Sequence, residues 1–151
     1  MNTAALPLAP SVLSPLAQRL GLAGLLPFAL GALLVWLLPA GDARQFVVQA
    51  LCLYAGVISS FLGAIHWGLA MRQATPHGGL LGWGAAAPLI AWVAMLMHPH
   101  AGLVILGLLL VGCYLVDRRV YPREGVGHWL TLRFRLSAGA ALSCFIGAAG
   151  A

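Results

Sequence analysis

The chain has 151 residues, of which 62% are hydrophobic and only 7% are charged, and its formal net charge is +5. A soluble domain carries roughly 25% charged residues and needs them to cover its surface. This composition therefore excludes an ordinary soluble protein and predicts one that is embedded in lipid. The positive charge comes from eight arginines that lie between apolar segments. Such a distribution favours contact with the bilayer over the binding of nucleic acid.

Residues 1–19 are predicted to form an N-terminal tail, because Pro7, Pro10 and Pro15 interrupt any long regular helix there. The tail is expected to be a surface segment or a short interfacial piece. We do not interpret it as a cleaved signal peptide, since the apolar run after Arg19 is longer than the h-region of such a peptide.

Residues 20–151 are predicted to form one domain, an all-α bundle of five transmembrane helices in a polytopic membrane protein. A helix rises ~1.5 Å per residue, so about 20 apolar residues cross a hydrocarbon core of ~30 Å. Pro27 and Pro88 lie inside the first and third spans, and each is expected to kink its helix. The predicted spans are residues 20–38, 47–70, 80–97, 103–116 and 130–150.

The second span has two faces when it is read at ~100° per residue. One face is predicted to pack against other helices, because small residues let backbones approach and hydroxyls bond across the gap. The opposite, apolar face is predicted to contact lipid. The packing face consists of Gly56, Ser59, Ser60 and Gly63, with His66 and Trp67 farther along it. The lipid face consists of Val57, Ile58, Phe61, Leu62, Ile65 and Leu69.

The arginines also predict how the chain is oriented. With five spans, the N-terminus and the second and fourth loops share one side of the membrane, and that side carries seven of the eight arginines. The opposite side carries Arg44 alone. Because positive residues are retained on the cytoplasmic side, we expect a bacterial inner-membrane protein with a cytoplasmic N-terminus and a C-terminus outside.

This topology brings several polar residues to one level near the cytoplasmic boundary. His66 lies near the end of the second span, Asp117 at the end of the fourth, and Arg133 in the first turns of the fifth. Ionisable groups are costly inside a membrane unless they are paired. These three are therefore predicted to meet, with Trp67 and Trp129 beside them. An Asp117 partner would favour a charged His66 imidazole and an Arg133 partner a neutral one; the sequence leaves both open.

No metal and no other cofactor is predicted. Cys52, Cys113 and Cys144 are far apart in apolar runs, where inert buried thiols are expected. His98 and His100 would offer two imidazoles to a metal, but no third ligand is evident nearby.

Several of these residues also carry a resemblance to a known family. They are Pro27-Phe28, the run from Ser60 to Gly68, Pro88 with Ala91-Trp92, Asp117, and Trp129 followed by Leu132-Arg133. At these positions the chain resembles the membrane-protein family catalogued as domain of unknown function 3429, which includes animal transmembrane protein 69. The resemblance extends from the first span to the fifth and implies membrane residence and a similar number of helices. It implies no activity and no catalytic residue.

Two classes of function remain open. The favoured one is a non-enzymatic accessory, assembly or scaffold protein that acts through helix packing, because the spans lack the acidic residues that proton-coupled transporters commonly use. Its expected partners are the lipid bilayer and another membrane protein or a second copy of the chain. The alternative is a small transporter or membrane enzyme that uses the cluster of His66, Asp117 and Arg133 on an amphiphilic or anionic ligand. This alternative explains why a histidine and an arginine converge where packing alone would accept leucine or serine.

Overall fold

The computed structural model describes residues 13–151, which form six α-helices and one short 3₁₀ turn. Residues 1–12, with Pro7 and Pro10 of the predicted tail, lie outside this range. The helices are α1 (Pro15–Ala23), α2 (Leu26–Leu37), α3 (Asp42–Ala70), α4 (Gly78–Leu96), α5 (Pro99–Val120) and α6 (Leu130–Ala149). The 3₁₀ turn, Gly127–Trp129, comes directly before α6.

Within residues 13–151, five segments are long and apolar enough to cross a membrane. They are Pro15–Leu37, which combines α1 and α2, and then Asp42–Ala70, Gly78–Leu96, Pro99–Val120 and Gly127–Ala149. The prediction of an all-α membrane protein with five spans is therefore confirmed. The structure differs from the sequence-based expectation mainly in where the helices begin and end.

The first span is a broken helix. α1 ends at Ala23 and α2 begins at Leu26, because Pro27 has no N–H to donate to the carbonyl one turn earlier. The Gly24 carbonyl at the break accepts a hydrogen bond from the Tyr54 hydroxyl of α3, at 2.9 Å. The kink expected at Pro27 is thus a complete interruption that is fixed to the neighbouring helix.

α1 begins at Pro15, so the predicted tail of residues 1–19 extends too far along the chain. Ser14 caps this helix, because its Oγ accepts a hydrogen bond from the Ala17 N–H at 3.1 Å. Pro15 occupies the first turn, where a missing N–H costs no helical hydrogen bond. Proline at this position therefore starts a helix instead of interrupting one.

α3 and α5 extend beyond their predicted spans through charged residues. α3 starts at Asp42 instead of residue 47. The Asp42 carboxylate lies in the first turn of the helix, near the positive end of the helix dipole. α5 runs from residue 99 to 120 instead of 103 to 116, and Arg118 and Arg119 in its last turn suit the negative end. The sequence-based boundaries were placed at the edge of the apolar runs, whereas these helices accommodate the charges that follow.

α3 is the central helix of the bundle, since it packs against α2, α4, α5 and α6. The predicted packing face of α3 is turned inward. Gly56, Ser59 and Gly63 are buried, and Ser60 is half-buried. Leu62 and Leu69, which the pattern assigned to lipid, are also buried. The lipid-facing arc is narrower than predicted because helices surround α3 on more than one side.

The contact between α3 and α4 depends on glycine. A Cβ on Gly63 would lie 2.9 Å from Pro88 Cδ and 3.1 Å from the Gly84 carbonyl oxygen, and a Cβ on Gly56 would collide with Met95. A large side chain at Gly63 would therefore press against Pro88 and the backbone of α4, whereas at Gly56 the Met95 side chain would have to move. By contrast, among residues 13–151 no atom beyond the adjacent backbone of α3 lies within 4 Å of the place where a Cβ on Gly68 would stand.

Gly63→Leu is expected to lower the thermal unfolding temperature of the detergent-solubilised protein by several degrees, because overpacking costs about 1–3 kcal/mol. Gly68→Leu is the matched control on the same helix and should leave the unfolding temperature nearly unchanged, since its side chain enters open space. Melting curves followed by circular dichroism measure both. Equal losses in the two variants would contradict this packing.

Candidate functional site

The candidate site lies where one end of α3, one end of α5 and one end of α6 meet. His66 stands one turn before the end of α3, Asp117 lies in the last turn of α5, and Arg133 lies in the first turn of α6. Their exposed fractions are 1%, 1% and 6%. The structure therefore brings together the three ionisable residues singled out in the sequence, in the interior of the bundle.

The Asp117 carboxylate lies between the other two side chains. Arg133 Nε donates a hydrogen bond to Asp117 Oδ2 at 2.8 Å, and Arg133 Nη2 donates to the same oxygen. The other carboxylate oxygen, Oδ1, lies 3.3 Å from His66 Nε2. Asp117 thus lies between Arg133 and His66, and we call these three residues the buried ion cluster.

The imidazole of His66 faces an oxygen on each side. Its Nδ1 lies 3.3 Å from the Leu62 carbonyl oxygen one turn earlier on α3, and its Nε2 faces Asp117. Of the two partners that the sequence left open, Asp117 is the one whose side chain faces the His66 ring.

The two tryptophans predicted beside the cluster lie outside it. Trp67 is 46% exposed, and its indole Nε1 donates to the Leu81 carbonyl of α4 at 3.2 Å. Trp129 is half-buried in the 3₁₀ turn before α6 and packs against an apolar cluster that includes Tyr121. These indoles join helices and loops to the bundle, and neither touches the carboxylate.

Two polar residues that the sequence did not single out complete the region. Tyr121 is buried, and its ring centroid lies 6.4 Å from that of His66. Ser137 is 4% exposed, and its Oγ has no hydrogen-bond partner within residues 13–151. Each lies four residues after a member of the cluster, Asp117 or Arg133, and this one-turn spacing was the signal that could have identified them.

A cavity of about 510 Å³ borders one side of the cluster, between α1, α3 and α6. Its polar side chains are those of Tyr121, Trp129, Arg133 and Ser137, and the rest of its lining is apolar. Arg133 is the member of the cluster that lines this cavity, whereas His66 and Asp117 lie behind it, sealed by packed side chains. We call this space the lateral cavity.

The sequence predicts no metal site, and the histidines and cysteines considered there lie as follows. His100 Nδ1 lies 2.6 Å from the Ala148 carbonyl oxygen, and Cys52, Cys113 and Cys144 are all buried as free thiols. In the described part of the chain, no three His, Cys, Asp or Glu side chains come together as a metal site would require.

Comparison with known proteins gives one match. A family model described as "Protein of unknown function (DUF3429)" matches residues 13–149, which is nearly the whole chain. No curated protein and no solved structure matches this chain. The likeness to animal transmembrane protein 69 stays an expectation from the sequence.

Asp117→Asn is expected to lower the free energy of unfolding by about 3–5 kcal/mol, because it leaves the Arg133 guanidinium buried without its counter-charge. Arg133→Gln should lower the free energy of unfolding by a similar amount, because it leaves the buried Asp117 carboxylate without its counter-charge. The double variant Asp117→Asn/Arg133→Gln should lose much less free energy of unfolding than the two single variants lose together, because two neutral amides can hydrogen-bond to each other. Denaturant titration in detergent measures the four proteins; strictly additive losses would mean that the pair is not coupled.

Proposed function

The chain belongs to the DUF3429 family of proteins of unknown function, and from its own structure we propose that it is a non-enzymatic integral membrane protein, an accessory, assembly or scaffold protein that acts through helix packing. Its partner in this proposal is another membrane protein or a second copy of the chain, bound within the bilayer.

The observation that carries this proposal is a set of small residues on the outer surface of α3 and α4, which we call the small-residue strip. Its members are Ala64 and Gly68 of α3 and Gly82 and Ala85 of α4, and all are exposed. In the described part of the chain, no atom beyond the adjacent helix backbone lies within 4 Å of a Cβ placed on Gly68 or Gly82. Small residues give a second helix the close backbone approach by which transmembrane helices associate.

The buried ion cluster supports the same proposal through its role in holding the bundle together. Asp117 is hydrogen-bonded to Arg133 and faces His66 at 3.3 Å, so the cluster links α3, α5 and α6 at one end of the bundle. The buried ion pair and the imidazole that faces it favour one fixed arrangement of these three helices. A fixed arrangement is what a scaffold needs in order to present an outer face to a partner.

A small transporter or membrane enzyme is the second candidate, and the lateral cavity is the observation that favours it. The cavity has the size of a ligand pocket and mostly apolar walls, with Arg133 on its lining. In this second candidate an amphiphilic or anionic ligand enters the cavity. Arg133 holds the polar end of the ligand, and Asp117 fixes the orientation of the guanidinium.

We also propose that the protein lies in the bacterial inner membrane, with its N-terminus in the cytoplasm and its C-terminus outside. The distribution of arginines supports this orientation, because seven of the eight lie near the end of the bundle at which α3 and α5 end. They are Arg19, Arg72, Arg118, Arg119, Arg123, Arg133 and Arg135.

The scaffold proposal is tested in host cells that lack the chain, by separating intact membrane complexes on native gels and quantifying their subunits. We expect at least one complex to be reduced and to return with the unaltered chain. Ala85→Trp should fail to restore it, because the indole covers the small-residue strip. Ala138→Trp, at an exposed alanine on α6, is the matched control and should restore it.

A second variant separates the two candidate functions. His66→Gln retains a polar side chain in the cluster, and its folding is checked by its unfolding temperature. If this variant folds normally and restores the complex, the scaffold proposal stands. If it folds normally but fails while Ala85→Trp succeeds, or if no complex changes in cells that lack the chain, the scaffold proposal is contradicted.

The orientation is tested with reporter fusions. Alkaline phosphatase fused after Ala151 should be active, and green fluorescent protein at the same place should be dark, because the C-terminus is proposed to lie outside. Fusions after Glu124, between α5 and α6, should give the opposite pair of results and serve as the control. A fluorescent C-terminal fusion would contradict the proposed orientation.

A further inference from the structure

The break in the first span opens a space between α1 and α3. α2 packs directly against α3, whereas the lateral cavity separates α1 from α3 and has α6 as its floor. Leu20 of α1 and Phe61 of α3 line this cavity and are 65% and 61% exposed. Because its rim residues lie on the outer surface of the bundle, the cavity opens sideways toward lipid.

The floor of the cavity carries two polar groups that are one turn apart on α6. Ser137 is more than nine-tenths buried, and its Oγ has no hydrogen-bond partner among residues 13–151. Arg133 uses Nε and Nη2 for Asp117, so Nη1 is the guanidinium nitrogen that the carboxylate does not engage. A buried hydroxyl without a partner is unfavourable and uncommon. Both groups would be satisfied by a ligand whose polar end accepts hydrogen bonds.

We propose that the lateral cavity binds one anionic phospholipid. An acyl chain lies between α1 and α3, and the phosphate accepts hydrogen bonds from Arg133 Nη1 and Ser137 Oγ. The walls suit hydrocarbon because the residues that line them are almost all aliphatic or aromatic. The two donors suit a phosphodiester because its oxygens accept hydrogen bonds from arginine and from hydroxyl groups.

The depth and the surrounding charge favour a headgroup at this place. Arg133 is the fourth residue of α6, so it lies only ~4.5 Å from the start of that helix. Asp117 neutralises Arg133 in part, but the same end of the bundle carries further cationic side chains, namely Arg19, Arg118, Arg119, Arg123 and Arg135. The acid at this end, Glu124, accepts a hydrogen bond from Gln73 at 2.9 Å. The excess of positive charge therefore attracts an anionic lipid more strongly than a zwitterionic one.

This binding site is separate from the surface on which the scaffold proposal rests. The small-residue strip lies on α3 and α4, whereas the lateral cavity is formed by α1, α3 and α6. A bound lipid and a bound protein partner would therefore occupy different faces. Failure of one proposal leaves the other intact.

The test is native mass spectrometry of the full chain in detergent, with dioleoyl phosphatidylglycerol, dioleoyl phosphatidylcholine or glycerol 3-phosphate as the added probe. We expect one phosphatidylglycerol to be retained, more tightly than phosphatidylcholine, with no retention of glycerol 3-phosphate. Ser137→Ala should weaken retention about tenfold, which is the loss of one hydrogen bond to a charged group. The unfolding temperature of this variant in lipid-free detergent should not change, because Ser137 Oγ has no hydrogen-bond partner among residues 13–151 to lose.

A second pair of variants tests where the acyl chain lies. Leu20→Trp places an indole in the cavity and should reduce lipid retention, whereas Leu22→Trp, an exposed leucine of α1 outside the lining, should not. Equal retention of the two phospholipids would overturn the anionic selectivity. Unchanged retention in both Ser137→Ala and Leu20→Trp would overturn the site. Retention of glycerol 3-phosphate as tight as that of the lipid would assign the donors to a free phosphate ester.

Discussion

One carboxylate holds three helices of this bundle at a common level. Asp117 on α5 accepts two hydrogen bonds from Arg133 on α6 and faces His66 on α3 across 3.3 Å. Each of these groups would be unfavourable if it were buried alone, because removing a charge from water costs more than packing returns. The ends of α3, α5 and α6 must therefore meet in one register, and the other contacts of the bundle form within that constraint.

The central helix connects this constraint to both outer surfaces. α3 packs on α4 through Gly56 and Gly63 and supplies His66 to the buried ion cluster. The same helix contributes Gly68 to the small-residue strip and Phe61 to the rim of the lateral cavity. The buried charges stabilise the bundle, and the surfaces toward lipid carry the proposed interactions. Function in this chain is therefore proposed for its outer faces and not for reactive groups in its interior.

Much of the fold could be predicted from the sequence, because hydrophobicity and length alone define membrane spans. The placement of His66, Asp117 and Arg133 at one end followed from the alternating direction of the helices. The burial of Leu62 was missed because the periodicity of one helix does not reveal how many neighbours it has. The lateral cavity was missed because it depends on the break at Gly24 and on its hydrogen bond to Tyr54, which is a contact between spans. Ser137 gave no signal either, since a serine among alanines and glycines also suits simple close packing.

The central claim is that the Asp117 carboxylate is enclosed with Arg133 when the protein lies in a bilayer. Solid-state NMR tests it through the dipolar coupling between a ¹³C-labelled aspartate carboxyl and ¹⁵N-labelled arginine guanidinium groups. The chain has two aspartates, Asp42 and Asp117, so Asp42→Asn leaves a single carboxyl signal. A strong coupling that persists in bilayers and corresponds to the hydrogen-bonded pair is expected. A carboxyl signal without coupling to arginine, broadened by paramagnetic ions added to the water, would contradict the claim.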